Sequence, residues 1–125
     1  TKTIDEMLCL LTHCGGVNAH LGTTNITEIE GRITNGDDHA RLIMEAMAYQ
    51  ISKAIGEMFA VLKGEVDAIL ITGEVAHSSF VVQQILQHVD KFAPTFLYPG
   101  DNEIKAMAGN ALRVIKGEME VQIYQ

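Results

Sequence analysis

The chain has 125 residues, 47% of them hydrophobic and 20% charged, and its 16 Asp and Glu against 9 Lys and Arg leave a net charge of −7. That length suits one domain or part of one, able to bury about two-thirds of its unfolded surface, and the mixed composition excludes disorder. The acidic balance and the lack of clustered cations exclude a nucleic-acid or anionic-membrane surface, and no apolar run reaches the ~18 residues of a membrane span.

The sequence begins with Thr1 rather than methionine, so it is expected to be processed or cut from something longer. Met7–Leu11 is too short an apolar run, and follows Asp5 and Glu6, to be a secretory signal. Two cysteines make no extracellular framework, so Cys9 and Cys14 are expected to be reduced, in a cytoplasmic setting. With His13 they lack the paired spacing of a zinc site, and buried or incidental packing accounts for them; no metal site is expected.

Thr3-Ile4-Asp5-Glu6 has the form of a capping box and predicts a short helix to about Leu11, ended by Gly15-Gly16. Val17–Leu21 reads as a strand. Gly22-Thr23-Thr24-Asn25 is then a turn, and Asn25 with Glu28 caps a short helix through about Arg32. Asn35-Gly36-Asp37-Asp38 breaks the chain before its strongest periodic signal. From Leu42 through Met47, Ile51, Ile55 and Met58 to Leu62, apolar residues recur at helical spacing until Gly64. Several faces are apolar, so this long helix is expected to be largely buried, and Ala46, Ala48, Ala54 and Gly56 would let another backbone come close.

Val66–Thr72 is apolar except for Asp67, as in a parallel strand covered on both faces. Ser78 or Ser79 caps a helix carrying Phe80, Val81, Ile85, Leu86 and Val89. After Pro94 a further strand covers Thr95–Tyr98. Pro99-Gly100-Asp101 turns into a last helix over about Glu103–Lys116, with Ile104, Met107, Ala108, Ala111, Leu112 and Ile115 inward. The order is an α/β pattern with right-handed crossovers expected. Two or three short parallel strands leave edges unpaired and faces uncovered, so the sequence reads as the C-terminal part of a larger domain.

No Walker-type loop, nucleophile elbow or three-glycine dinucleotide fingerprint is present. Thr72-Gly73 at a strand end has two readings. Glycine relieves strain in a tight connection, or the turn and the following helix N-terminus offer amide donors and partial positive charge to a ligand. His77 lies in the same turn, either solvated or touching that ligand. His13, His20, His39 and His88 have no evident partner. Asp101 and Glu103 complement the dipole at the start of the last helix, which suffices to explain them locally.

Taken together, His20–Asn25, Asp37-Asp38-His39-Ala40, Glu45–Ile51, Ile55-Gly56, Val61–Ile69, Thr72-Gly73, Tyr98-Pro99-Gly100 and Ala108–Val114 resemble the C-terminal half of the butyrate kinases. The likeness runs in order through nearly the whole chain. The related acetate kinases share the plan, and both groups belong to the actin-like, sugar-kinase superfamily. The resemblance implies part of a ribonuclease-H-like domain: residues 1–125 as a C-terminal lobe portion, the N-terminal lobe being absent. It also implies phosphoryl transfer between ATP and a short-chain fatty acid such as butanoate, with Mg²⁺, in an enzyme that is commonly a homo-oligomer. The lobe would hold the adenosine end of ATP or ADP through Gly22, Thr23, Thr24 and Asn25 and through a turn comprising Gly73, Glu74, Val75, His77 and Ser78. Glu103 resembles a catalytic glutamate near the metal and phosphates.

Two positions depart from the family. Glu74 stands where a second glycine is usual, narrowing the approach and adding negative charge, and Asn25 stands where an aspartate is frequent. Half of a phosphoryl-transfer constellation does little by itself, so the chain alone is expected to be inactive. The rival expectation is a non-enzymatic remnant serving as a structural or interaction module.

Overall fold

The computed structural model describes residues 2–100 and 103–120, and of Glu103 the backbone alone. Helix α1 (Ile4–Cys9) begins with the expected capping box: Glu6 N–H donates to Thr3 Oγ1 at 3.3 Å, and Thr3 N–H donates to Glu6 Oε2 at 2.7 Å. The chain then winds on through a π-helical turn, Leu10–Cys14, rather than stopping near Leu11. A disulfide joins Cys9 to Cys14, and both are exposed. The expectation of reduced, packed cysteines is thereby overturned. The helical path brings their Cα atoms to 5.5 Å, within disulfide reach.

Val17–Leu21 is also corrected, from strand to helix: α2 spans Gly16–Leu21. Val17, Ala19 and Leu21 fit a two-residue period, but burial follows a four-residue one, with Val17 and Leu21 packed on the core and Ala19 exposed. Gly22, at φ 71°, ends α2 in the left-handed conformation, its N–H donating to Asn18 O. Helix α3 (Ile26–Thr34) starts where Asn25 Oδ1 accepts the Glu28 N–H at 3.1 Å, and buries Ile29 and Ile33.

Helix α4 (Asp38–Val61) is the long helix. It buries one stripe, Ala40, Met44, Ala48 and Ser52, at a strict spacing of four. The expectation of a largely buried helix is overturned, because Leu42, Tyr49, Met58, Val61 and Leu62 are exposed. One layer of neighbouring elements covers one face. Along the C-terminal half of α4, Ile51, Ile55, Met58 and Phe59 instead line an open apolar groove of about 410 Å³ with Val66 and Ile69.

Strands β1 (Ile69–Gly73) and β2 (Thr95–Pro99) pair in parallel, Ile69 opposite Thr95 through Gly73 opposite Pro99, with α5 (Ser79–Val89) between them in sequence. They form a sheet of two strands among the described residues. Ile69 and Ile71 face the core, while Leu70, Phe96 and Tyr98 on the other face are exposed, so the expected double cover is not met. α5 presents Val81, Ile85 and Val89, again every fourth residue, toward α4. The last helix, α6 (Glu103–Ile115), has the expected bounds but not the expected burial: Ile104 is 79% and Ile115 80% exposed, and Met107 and Leu112 are exposed too. No described element covers that apolar face.

The exposed faces of α6 and the sheet favour self-association, since contiguous apolar surface is costly in water. Sedimentation of the chain across a range of concentrations is expected to show a mass that rises with concentration. Separately, Asp37 caps α4 by accepting the Ala40 N–H at 2.9 Å and pairs with Arg32 at 2.8 Å. The Ala40 hydrogen bond first, then the Arg32 guanidinium, holds its carboxyl below the ordinary value of 3.8. A lowered folded-state pKa stabilises the fold above the unfolded value and is lost as pH falls through the folded one. Thermal melts from about pH 6 down to about pH 2 should therefore show a smaller acid-induced loss of Tm in Asp37→Ala than in the parent.

Candidate functional site

The C-terminal end of β1 makes an abrupt corner. Gly73 has φ 70° and ψ −157°, a conformation closed to residues with a Cβ, and the chain passes from it into a 3₁₀ turn, Glu74–His77. Ser78 follows in extended conformation and caps α5, its Oγ accepting the Val81 N–H at 3.1 Å. The same Oγ donates to Glu30 Oε1 at 2.6 Å, so Ser78, which is 1% exposed, ties α5 to α3.

The facing wall is the corner between α2 and α3. Thr23 Oγ1 accepts the Asn25 N–H at 3.2 Å and donates to Glu28 Oε2 at 3.0 Å, which uses the hydroxyl both ways. Arg32 fastens this corner from behind: its Nη1 donates to Leu21 O at 3.0 Å, while Nε donates to Asp37 at 2.8 Å. One guanidinium thus fixes the end of α2 against the start of α4.

Between the walls lies a cleft of about 500 Å³, lined by Thr23, Thr24, Asn25, Ile26, Thr27 and Glu30 on one side and by Glu74, His77 and Ser78 on the other. It sits beyond the carboxyl ends of parallel strands, where open α/β sheets commonly take ligands. Six residues expected from the sequence therefore meet here: Thr23, Thr24, Asn25, Glu74, His77 and Ser78. Gly22 and Gly73 shape the two corners by their backbone instead, and Val75 packs against the core. Glu103 opens α6, but its side chain, like all of Asp101, lies outside the described residues.

Glu30, Ile26 and Thr27 were not anticipated. A signal existed for Glu30. It lies four residues after Ile26 and beside Ile29, at the edge of the stripe that α3 buries, so its carboxylate had to point along whatever covers that helix.

Glutamates 30 and 74 face a cleft that no lysine or arginine lines among the described residues. Hydroxyl, amide and imidazole groups complete it. Such walls suit a ligand portion rich in O–H and N–H donors and oppose a polyanion. Glu74 itself is not in a left-handed conformation; Lys63 is the one described non-glycine residue with positive φ. The side chain at position 74 is therefore tolerated by the backbone, and its consequences fall on what enters the cleft.

A family model described as the acetokinase family matches residues 1–120. Over 122 residues the chain is 46% identical to "Probable butyrate kinase 2" of Caldanaerobacter subterraneus subsp. tengcongensis, covering 98% of this chain and 34% of that protein. It is 42% identical over 123 residues to "Probable butyrate kinase" of Bacteroides thetaiotaomicron, covering 98% of this chain and 35% of that one. With "Probable butyrate kinase" of Coprothermobacter proteolyticus it shares 47% identity over 110 residues, 88% of this chain and 31% of that protein. The chain thus spans about a third of the length of the curated relatives it matches.

Ser78 supplies both the α5 cap and the link to α3, so Ser78→Ala is expected to lower unfolding free energy by about 1–2 kcal/mol, measured by urea denaturation. A change within a few tenths of a kcal/mol would mean that water replaces both contacts.

Proposed function

This chain belongs to the acetokinase family, and from that membership we propose that it is the nucleotide-binding lobe of a butyrate-kinase-type enzyme. In the complete enzyme, of ribonuclease-H-like, actin-like plan, a phosphoryl group passes between ATP and a short-chain fatty acid. The observation that carries this reading is the meeting of Thr23–Asn25 with Glu74–Ser78. These segments lie some fifty residues apart in sequence, and they form opposite walls of one cleft at the strand ends.

What the lobe contributes is binding and orientation. The Thr24 and Thr27 hydroxyls and the Asn25 side-chain N–H groups offer hydrogen bonds to the nucleoside end, while the Ser78–Glu30 bond ties the two walls and Arg32 fastens the corner behind one of them. Holding one reactant in place is the larger part of phosphoryl-transfer catalysis, because the protein does little covalent chemistry itself. Among the described residues no three histidine, cysteine or carboxylate side chains converge to hold a metal ion. No step through Mg²⁺ is assigned to them, and Glu103 is proposed as the residue of this chain that stands nearest the phosphates. The acyl acceptor would be met by the rest of the enzyme, and this chain by itself would not turn over.

Glu74 favours the second reading, a remnant that keeps its packing and has lost its ligand. Its carboxylate lines the cleft with Glu30, and among the described residues no lysine or arginine lines it to offset the charge. Calorimetry with ADP separates the two. Wild type is expected to bind weakly, and Glu74→Gly to bind at least about tenfold more tightly through lost repulsion and regained space. Glu74→Gln is expected to recover the charge part alone. If none of the three chains binds ADP or adenosine, either the chain lacks too much of the cleft to hold a nucleotide or the remnant reading is right.

A further inference from the structure

Resting on the nucleotide reading of the cleft, we propose that Glu30 is a specificity-determining residue that accepts hydrogen bonds from the vicinal hydroxyls of the ligand's ribose. The reasoning starts from how the carboxylate is held. Ser78 Oγ donates to Glu30 Oε1 at 2.6 Å, and Ser78 is itself pinned by the Val81 N–H. That chain of contacts runs from the first turn of α5 to the middle of α3 and anchors one oxygen of the glutamate. Its second oxygen, Oε2, makes no hydrogen bond with any described residue, although the side chain lines the cleft.

An anchored, partly buried carboxylate with an open oxygen is an acceptor without a donor. Leaving it unmatched against a bound ligand costs more than the bond would gain, so the site selects for a donor at that place. Nucleosides offer donors of two kinds, the ribose hydroxyls and the exocyclic amine of adenine. The hydroxyls suit Glu30 better. A diol presents two adjacent O–H groups to one acceptor, and O–H bonds to an ionised carboxylate are short and strong. An acidic residue on the ribose diol is also a recurring solution in nucleotide sites of α/β sheets. The Thr23 hydroxyl is unsuited to the task, being already committed to Glu28 and the Asn25 N–H.

The residue has a consequence for which part of a nucleotide lies where. Glu30 and Glu74 line the same cleft, so a nucleotide whose sugar sits on Glu30 meets Glu74 as well. The two carboxylates then have opposite effects on one ligand, Glu30 attracting its hydroxyls and Glu74 repelling its phosphates.

The test is a ligand-and-residue cycle by calorimetry on the 125-residue chain. Adenosine, 2′,3′-dideoxyadenosine and inosine are titrated into wild type, Glu30→Gln and Glu30→Ala. Wild type is expected to bind adenosine and inosine alike, and the dideoxy compound at least about tenfold more weakly. In Glu30→Ala that gap should close, through weaker adenosine binding and unchanged dideoxyadenosine binding. Glu30→Gln keeps an oxygen for Ser78 and should close it in part while remaining folded. An undiminished gap in the variants overturns the role of Glu30, as does a wild type indifferent to the hydroxyls but sensitive to the amine. Should Glu30→Ala fail to fold, Glu30→Gln and the wild-type gap decide the matter. If neither wild type nor Glu74→Gly binds any nucleoside or ADP, the nucleotide reading itself fails, and this inference with it. Binding of ADP without a ribose effect removes only the inference.

Discussion

The packing of α4 on α5 is the contact against which the other elements are set. Ala40, Met44, Ala48 and Ser52 form one row along α4, and Val81, Ile85 and Val89 form the answering row on α5, both at a spacing of four. Rows of that pitch interlock as ridges in grooves, and the small residues of α4 let the two backbones approach. β1 lies against this pair through Ile69 and Ile71, and α3 through Ile29 and Ile33. Because α5 is held by its valines and Ile85, its first turn is fixed in space, and with it Ser78 and the wall of the cleft.

The cleft is consequently a by-product of two rigid corners. One is the left-handed Gly22 between α2 and α3, and the other is Gly73 at the end of β1. Neither corner depends on a ligand. Ser78 to Glu30 and Arg32 to Leu21 O bridge the elements that meet there, so the Ser78 and Thr23 hydroxyls are spoken for by the fold. The charged groups that remain open are acidic. This distribution explains why a glutamate at position 74 can coexist with an intact architecture: the backbone accepts it, the core does not feel it, and only an anionic visitor would.

The uncovered surfaces share a cause. α6 and the outer face of the sheet are apolar in sequence, yet nothing among the described residues covers them, and the C-terminal half of α4 is covered only in part, its groove staying open. Amphipathic periodicity states which side of an element wants cover, not what provides it. The chain corresponds to about a third of its relatives' length, and these faces are where its local patterns ask for more protein than the described residues contain.

Much was legible from residues alone, where the determinant is local. The capping box at Thr3, the Asn25 and Ser78 caps, the stop at Gly64, and the bounds of α4, β2 and α6 all follow from neighbours a few positions apart. Membership in an acyl-kinase family was legible too, because the resembling segments run in order along the whole chain. Other properties needed three dimensions. Val17–Leu21 satisfied strand and helix periods equally until Leu21 and Val17 packed together on the core. The burial of α4 and α6 depended on which neighbours exist, and the Cys9–Cys14 pairing on a helical path that closes their separation. Glu30 entered the cleft because Ser78, 48 positions away, reaches its carboxylate. A one-dimensional pattern reports contacts made within a turn or a strand; a cleft between separated segments is decided only when the core brings them together.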